Sequence, residues 1–147
     1  MKNILLYLVL IFSIFTYSQK KKDKEILLIS TQYYGQKCQY VAFKLSTKQV
    51  EIDNCYNSAT GFNVTKIIPL KSESVLQTIY KMSTSTLKDY QKRIDSVKNC
   101  DTLSPIKVRV NENETLTNIK WKSLPNCYPQ SVRNVIKPLE DLFVKYK

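Results

Sequence analysis

The sequence predicts an α+β fold: an antiparallel sheet of about five to six strands with helices packed on one face, braced by disulfides. Three observations carry this. Short runs in which apolar and polar residues alternate lie on either side of a stretch with helical spacing. The order strand, strand, helix occurs twice. Four cysteines, Cys38, Cys55, Cys100 and Cys127, follow a leader of the exported type, where an even count favours disulfides over free thiols.

Residues 1–18 have the parts of a signal peptide: Lys2, an apolar run from Ile4 to Phe15, and Thr16 and Ser18 before a cut at Gln19. That run falls short of the roughly 20 residues a membrane-spanning helix needs, so no span is expected after cleavage. Residues 19–24, with Lys20, Lys21, Lys22 and Lys24, read as a disordered basic leader, and residues 25–147 as one α+β domain.

The first strand is expected over Glu25–Tyr33, with Leu27, Ile29 and Tyr33 on one face and Ile26 and Leu28 on the other, the mark of a central strand or of one that a helix covers from behind. A turn around Gly35 leads into a hairpin between Cys38 and Cys55. With its turn at Ser46-Thr47, Leu45 faces Lys48, Phe43 faces Val50, Val41 faces Ile52, and Cys38 meets Cys55. Residues 56–61 are turn chemistry, and 62–69 form a short strand on which Phe62, Val64 and Ile68 alternate.

From Ser72 the period becomes helical. Val75, Leu76, Ile79 and Tyr80 share a face, with Ser72 or Ser74 as the cap, and Leu87, Tyr90, Ile94 and Val97 continue the stripe beyond the Ser83–Thr86 run. Whether 73–98 is one helix or two stays open. Ile106, Val108 and Val110 then alternate in a strand, Asn111–Glu114 turns, and Thr117, Ile119 and Trp121 return opposite them, with Trp121 as a core residue. Cys100 and Cys127 bracket this second hairpin and are the preferred second pair. A closing helix carries Val132, Val135, Ile136, Leu139, Leu142, Phe143 and Tyr146, and Pro138 either kinks it or starts a second segment.

Basic residues number 23 against 12 acidic, a formal charge of +11. Such a field attracts polyanions, although beyond Lys20–Lys24 the basic residues are dispersed along the sequence. There is no histidine, which excludes triads and metal centres that need one. Two glycines cannot build a phosphate cradle. No cofactor and no metal are expected. Glu51 and Asp53, alternate residues on a strand, are the one carboxylate pair for a remote hydrolase reading. As acids of a solvent face, they are expected to tolerate exchange for their amides.

The leader, its Ser18-Gln19 cut and the Lys-, Ile- and Tyr-rich chain behind it resemble small exported proteins of Bacteroidetes bacteria. The element order and the Pro138-Leu139 pair in the last helix are similar to protease-inhibitor domains of the emfourin type. Those domains are typically cysteine-free, so the four cysteines here depart from the pattern.

The function expected is therefore that of a non-catalytic binding module of the periplasm or cell exterior, meeting a protein or peptide, a protease among them. Its candidate surface is Tyr33, Tyr34, Tyr40 and Tyr56, since exposed tyrosines add contact area at little rotamer cost; the competing reading makes them a second core layer under a helix. The alternative partner is an envelope polyanion, such as lipopolysaccharide, anionic lipid or extracellular DNA, held by Lys20, Lys21, Lys22 and Lys24.

Overall fold

A computed structural model describes residues 24–31, 38, 40–97, 105–122 and 128–147. Among them the strands are β1 (Lys24–Ser30), β2 (Tyr40–Leu45), β3 (Gln49–Tyr56), β4 (Lys66–Pro69), β5 (Ile106–Glu112) and β6 (Thr115–Trp121). The helices are α1 (Ser74–Lys81), α2 (Thr84–Asp95) and α3 (Gln130–Lys145). The six strands form one antiparallel sheet in the order β4-β3-β2-β1-β5-β6.

β1 is interior, as its two apolar faces require. Ile26 lies between Leu45 and Val110, and Leu28 between Phe43 and Val108, so rows of aliphatic side chains cross the sheet on one face. That face meets all three helices in a single core. Phe143 of α3 stacks on Phe43 at 4.8 Å, and the indole of Trp121 donates to the Leu87 carbonyl at 3.1 Å beneath α2. A fully buried N–H that keeps a partner avoids a desolvation cost of about 1–3 kcal/mol.

The β5–β6 hairpin has the expected register: Val110 faces Thr117, Val108 faces Ile119, and Ile106 faces Trp121. Asn113 and Glu114, both at positive φ, make the two-residue turn that matches strand twist. In the β2–β3 hairpin the turn lies at Thr47-Lys48 rather than Ser46-Thr47, and Leu45 faces Val50, Phe43 faces Ile52. The two-residue slip leaves every side chain on its expected face, because the strand period is two. Ser46 decides it, exchanging hydrogen bonds with Gln49 through both its backbone and its hydroxyl.

Cys38 and Cys55 nevertheless form the expected disulfide, with their Cα atoms 4.4 Å apart. A β-bulge adds one residue to the slip: between the Tyr40–Tyr56 and Ala42–Asp53 pairs, Val41 is opposed by both Asn54 and Cys55, so the disulfide joins two residues that are not partners in the ladder. The expected Cys100–Cys127 pair lies outside the described residues.

The helical stretch is two helices, broken at Met82-Ser83. The Ser/Thr run is the start of α2, where Ser83 accepts from the Thr86 amide at 3.1 Å. The cap of α1 is Glu73, not Ser72 or Ser74, and its carboxylate is drawn away to Lys145 and Tyr146 at the end of α3. Ser72 belongs to a 3-10 turn, Leu70–Ser72. α3 runs unbroken through Pro138, which is on its exposed side. The strand expected over 62–69 is only β4: Phe62 packs on the opposite side of the sheet from Ile68, and Val64 is exposed. No helix among the described residues is long and apolar enough to cross a membrane.

Candidate functional site: the open face of the sheet

The three helices cover one face of the sheet, and its other face divides into two halves of different chemistry. Over β2 and β3 the chain folds back on itself. Gly61, at φ 84°, closes a turn onto Asn57, and the Asn63 amide then donates to Asp53 at 2.7 Å. Asp53 also accepts from the Cys55 amide at 2.9 Å and is 1% exposed. It is therefore a buried clasp, which corrects its expected place on the solvent face.

The returning chain lays Phe62 against Tyr56, ring centres 6.3 Å apart, over a small second core of Ile29, Ala42 and Tyr56 with Leu27 and Tyr40 at its margin. Tyr56 is 5% exposed and Tyr40 half-buried, so both belong to this layer, and what covers it is a loop rather than a helix. Tyr33 and Tyr34 lie outside the described residues.

Glu51 and Asp53 do not converge. Glu51 accepts from Gln49 at 3.1 Å and pairs with Lys44 at 3.3 Å, while Asp53 is occupied by backbone amides. Lys44 also reaches Glu25 at 3.4 Å. Burial alone would lower the Lys44 pKa, but the two carboxylates together hold it above the ordinary lysine value. Among the described residues no group of three His, Cys, Asp or Glu side chains could hold a metal.

Of the leader lysines, Lys20, Lys21 and Lys22 lie outside the described residues. Lys24 is the first residue of β1 and not part of a disordered segment. Its ammonium donates to the carbonyls of Tyr80, at 2.9 Å, and Met82, where the partial negative charge of the α1 C-terminus lies, and the Tyr80 hydroxyl donates back to the Lys24 carbonyl at 3.2 Å. Burial lowers its pKa, against an opposing pull from Glu112.

The other half of the open face, over β5 and β6, is basic. The register that buries Val108 against Ile119 places Lys107 directly across from Lys120, and Arg109 across from Asn118. These side chains rim a shallow depression whose floor is the backbone of Val108 and Ile119, since both of those side chains are buried on the helix face. Like charges directly opposed on a sheet are destabilising by some tenths of a kcal/mol. Lys107, Arg109 and Lys120 make no ion pair among the described residues; Lys48, Lys66, Lys71, Lys81, Lys88 and Lys92 make none either, and what sets the three apart is that the register gathers them side by side on two adjacent strands. The signal for this patch was present in the sequence, because the alternation that pairs the apolar residues of the hairpin also pairs its cations.

Fold and site together define a disulfide-bonded α+β domain with helices on one side of its sheet and a half-bare basic surface on the other. Compared with protein families, curated proteins and solved structures, the chain matches none.

Proposed function

We propose that this is an exported, non-catalytic binding module that recognises an acidic protein or peptide through the open face of β5 and β6. The observation that carries the reading is the gathering of Lys107, Arg109 and Lys120 on adjacent strands around one shallow depression, with no ion pair among the described residues to neutralise them. Unneutralised like charges weaken a fold unless a ligand of opposite charge meets them, and they raise its association rate. The Cys38–Cys55 disulfide supports an oxidising compartment and so the export part of the reading.

The test compares two charge-reversed proteins of equal net charge. One carries Lys107→Glu, Arg109→Glu and Lys120→Glu; the other carries Lys88→Glu, Lys92→Glu and Lys137→Glu on the exposed sides of the helices. Each is titrated with a labelled peptide alternating Glu with Thr, with heparin, and with vesicles of anionic phospholipid. The reading expects the peptide to lose at least about tenfold in affinity for the first protein and little for the second. Equal losses would reduce the effect to net charge and refute it. Heparin or vesicles binding where the peptide does not would replace it with recognition of an envelope polyanion.

A further inference from the structure

A sheet edge whose backbone groups are unpaired is a template for another strand, and this sheet has two edges. β4 is four residues long and ends at Pro69, which has no N–H to offer. β6 is different: seven residues, with neither proline nor bulge.

The hairpin turn fixes which groups of β6 point outward. Glu112 and Thr115 close a two-residue turn, so they exchange ladder hydrogen bonds, as do the alternate pairs Val110–Thr117, Val108–Ile119 and Ile106–Trp121. The N–H and C=O groups of the residues between, Leu116, Asn118 and Lys120, therefore face away from β5, and they have no strand partner among the described residues. The side chains of the same three residues lie on the open face beside Arg109 and Lys107. Leu116 is 62% exposed.

We infer that β6 is a strand-addition site for an extended acidic peptide, which pairs its backbone with Leu116, Asn118 and Lys120 while its open-face side chains meet the basic patch. This rests on the reading above and specifies its partner. An acidic side chain would lie beside Lys120 and an apolar one beside Leu116, on the same face and two alternations apart. The occupant is not a second copy of this chain. Lysine on an edge strand opposes self-pairing, and two copies of a chain with formal charge +11 repel, while the same lysine attracts an acidic strand.

The experiment uses the mature protein and a fluorescent peptide of about ten residues, alternating Glu and Thr with a single Val, in two forms. One has a normal backbone; the other is N-methylated on the face that would donate to β6, with identical charge. Binding is followed by anisotropy, and amide exchange at Leu116, Asn118 and Lys120 by NMR. Asn118→Pro is the matching protein variant, because it deletes an outward N–H and leaves the β5 ladder intact; its fold is checked by circular dichroism and melting.

We expect slowed exchange at the three amides, and at least about tenfold weaker binding both for the methylated peptide and for Asn118→Pro. Equal binding of the two peptides, still abolished by charge reversal at Lys107, Arg109 and Lys120, would overturn strand addition while leaving the acidic-ligand reading in place. Absence of binding by either peptide would overturn both. Should Asn118→Pro fail to fold, the peptide pair and the exchange data decide alone.

Discussion

Replacing Asp53 by asparagine removes one of two acceptor oxygens from a carboxylate that is 1% exposed and holds two backbone amides, those of Cys55 and Asn63. A hydrogen bond to a charged group contributes about 1.5–3 kcal/mol, and an amide NH2 turned toward a backbone N–H cannot replace it. Asn63 itself is exposed, so water can reach its freed N–H, and the net cost falls to about 1–2 kcal/mol. Asp53→Ala loses both bonds and should cost about 2–4 kcal/mol. Glu51→Gln is the control, because Lys44 keeps Glu25 and the site is partly exposed; it should stay within about 0.5 kcal/mol. Urea unfolding measures all three, with an unchanged slope expected and the midpoint shifting. Native-state exchange should show the Asn63 amide opening in Asp53→Asn. If Asp53→Asn unfolds with the control and Asn63 stays protected, the clasp is not what holds the loop over Tyr56.

Three other outcomes test separate parts of the account. Glu114, at φ 65° in the second position of the β5–β6 turn, is strained for a side chain, so Glu114→Gly should raise stability by about 0.5–1 kcal/mol, and an unchanged or lower melting point would contradict the turn. The double replacement Cys38→Ser, Cys55→Ser opens a loop with a sequence separation of 17 and should cost about 3 kcal/mol; a non-reduced peptide map joining Cys38 to another cysteine would refute the pairing outright. Lys24 has its pKa lowered on folding, so below its ordinary value of 10.5 the unfolded chain binds the proton more tightly. Stability should therefore rise with pH through the window just under 10.5, and Lys24→Gln should flatten that rise; a parallel profile in the variant would place the ammonium in water instead.

The parts of the fold legible in the sequence are those that a period alone specifies. Alternation in 106–121 sets the faces and, with a symmetric turn, the register, so the meeting of Lys107 with Lys120 follows from the pairing that buries Trp121. Reading charge along the sequence hides it, because these cations approach only across the strands. In the first hairpin, alternation sets the faces but not the register: a two-residue slip changes nothing in the pattern, and only the Ser46 hydrogen bonds and the bulge before Tyr56 select one pairing. The same limit explains Asp53. Strand alternation assigns it to the solvent face, and what buries it is a returning loop whose course depends on Gly61 and on hydrogen bonds to backbone. Pro138 fits within α3 because it lies on the exposed side of the helix, beyond what its identity alone indicates.

β1 joins two groups of strands that are each local in sequence: β2, β3 and β4 on one side, and the β5–β6 hairpin, arriving from much farther along the chain, on the other. A hairpin with a tight turn closes in microseconds, whereas the β1–β5 seam must wait for a long loop to close. Loop-closure cost therefore favours an order of folding in which the hairpin that carries Lys107, Arg109 and Lys120 forms before it docks. Once docked, however, β5 is paired to β1 over seven residues and β2 over only four, so an opening that starts between β1 and β2 would carry the basic surface away together with β1.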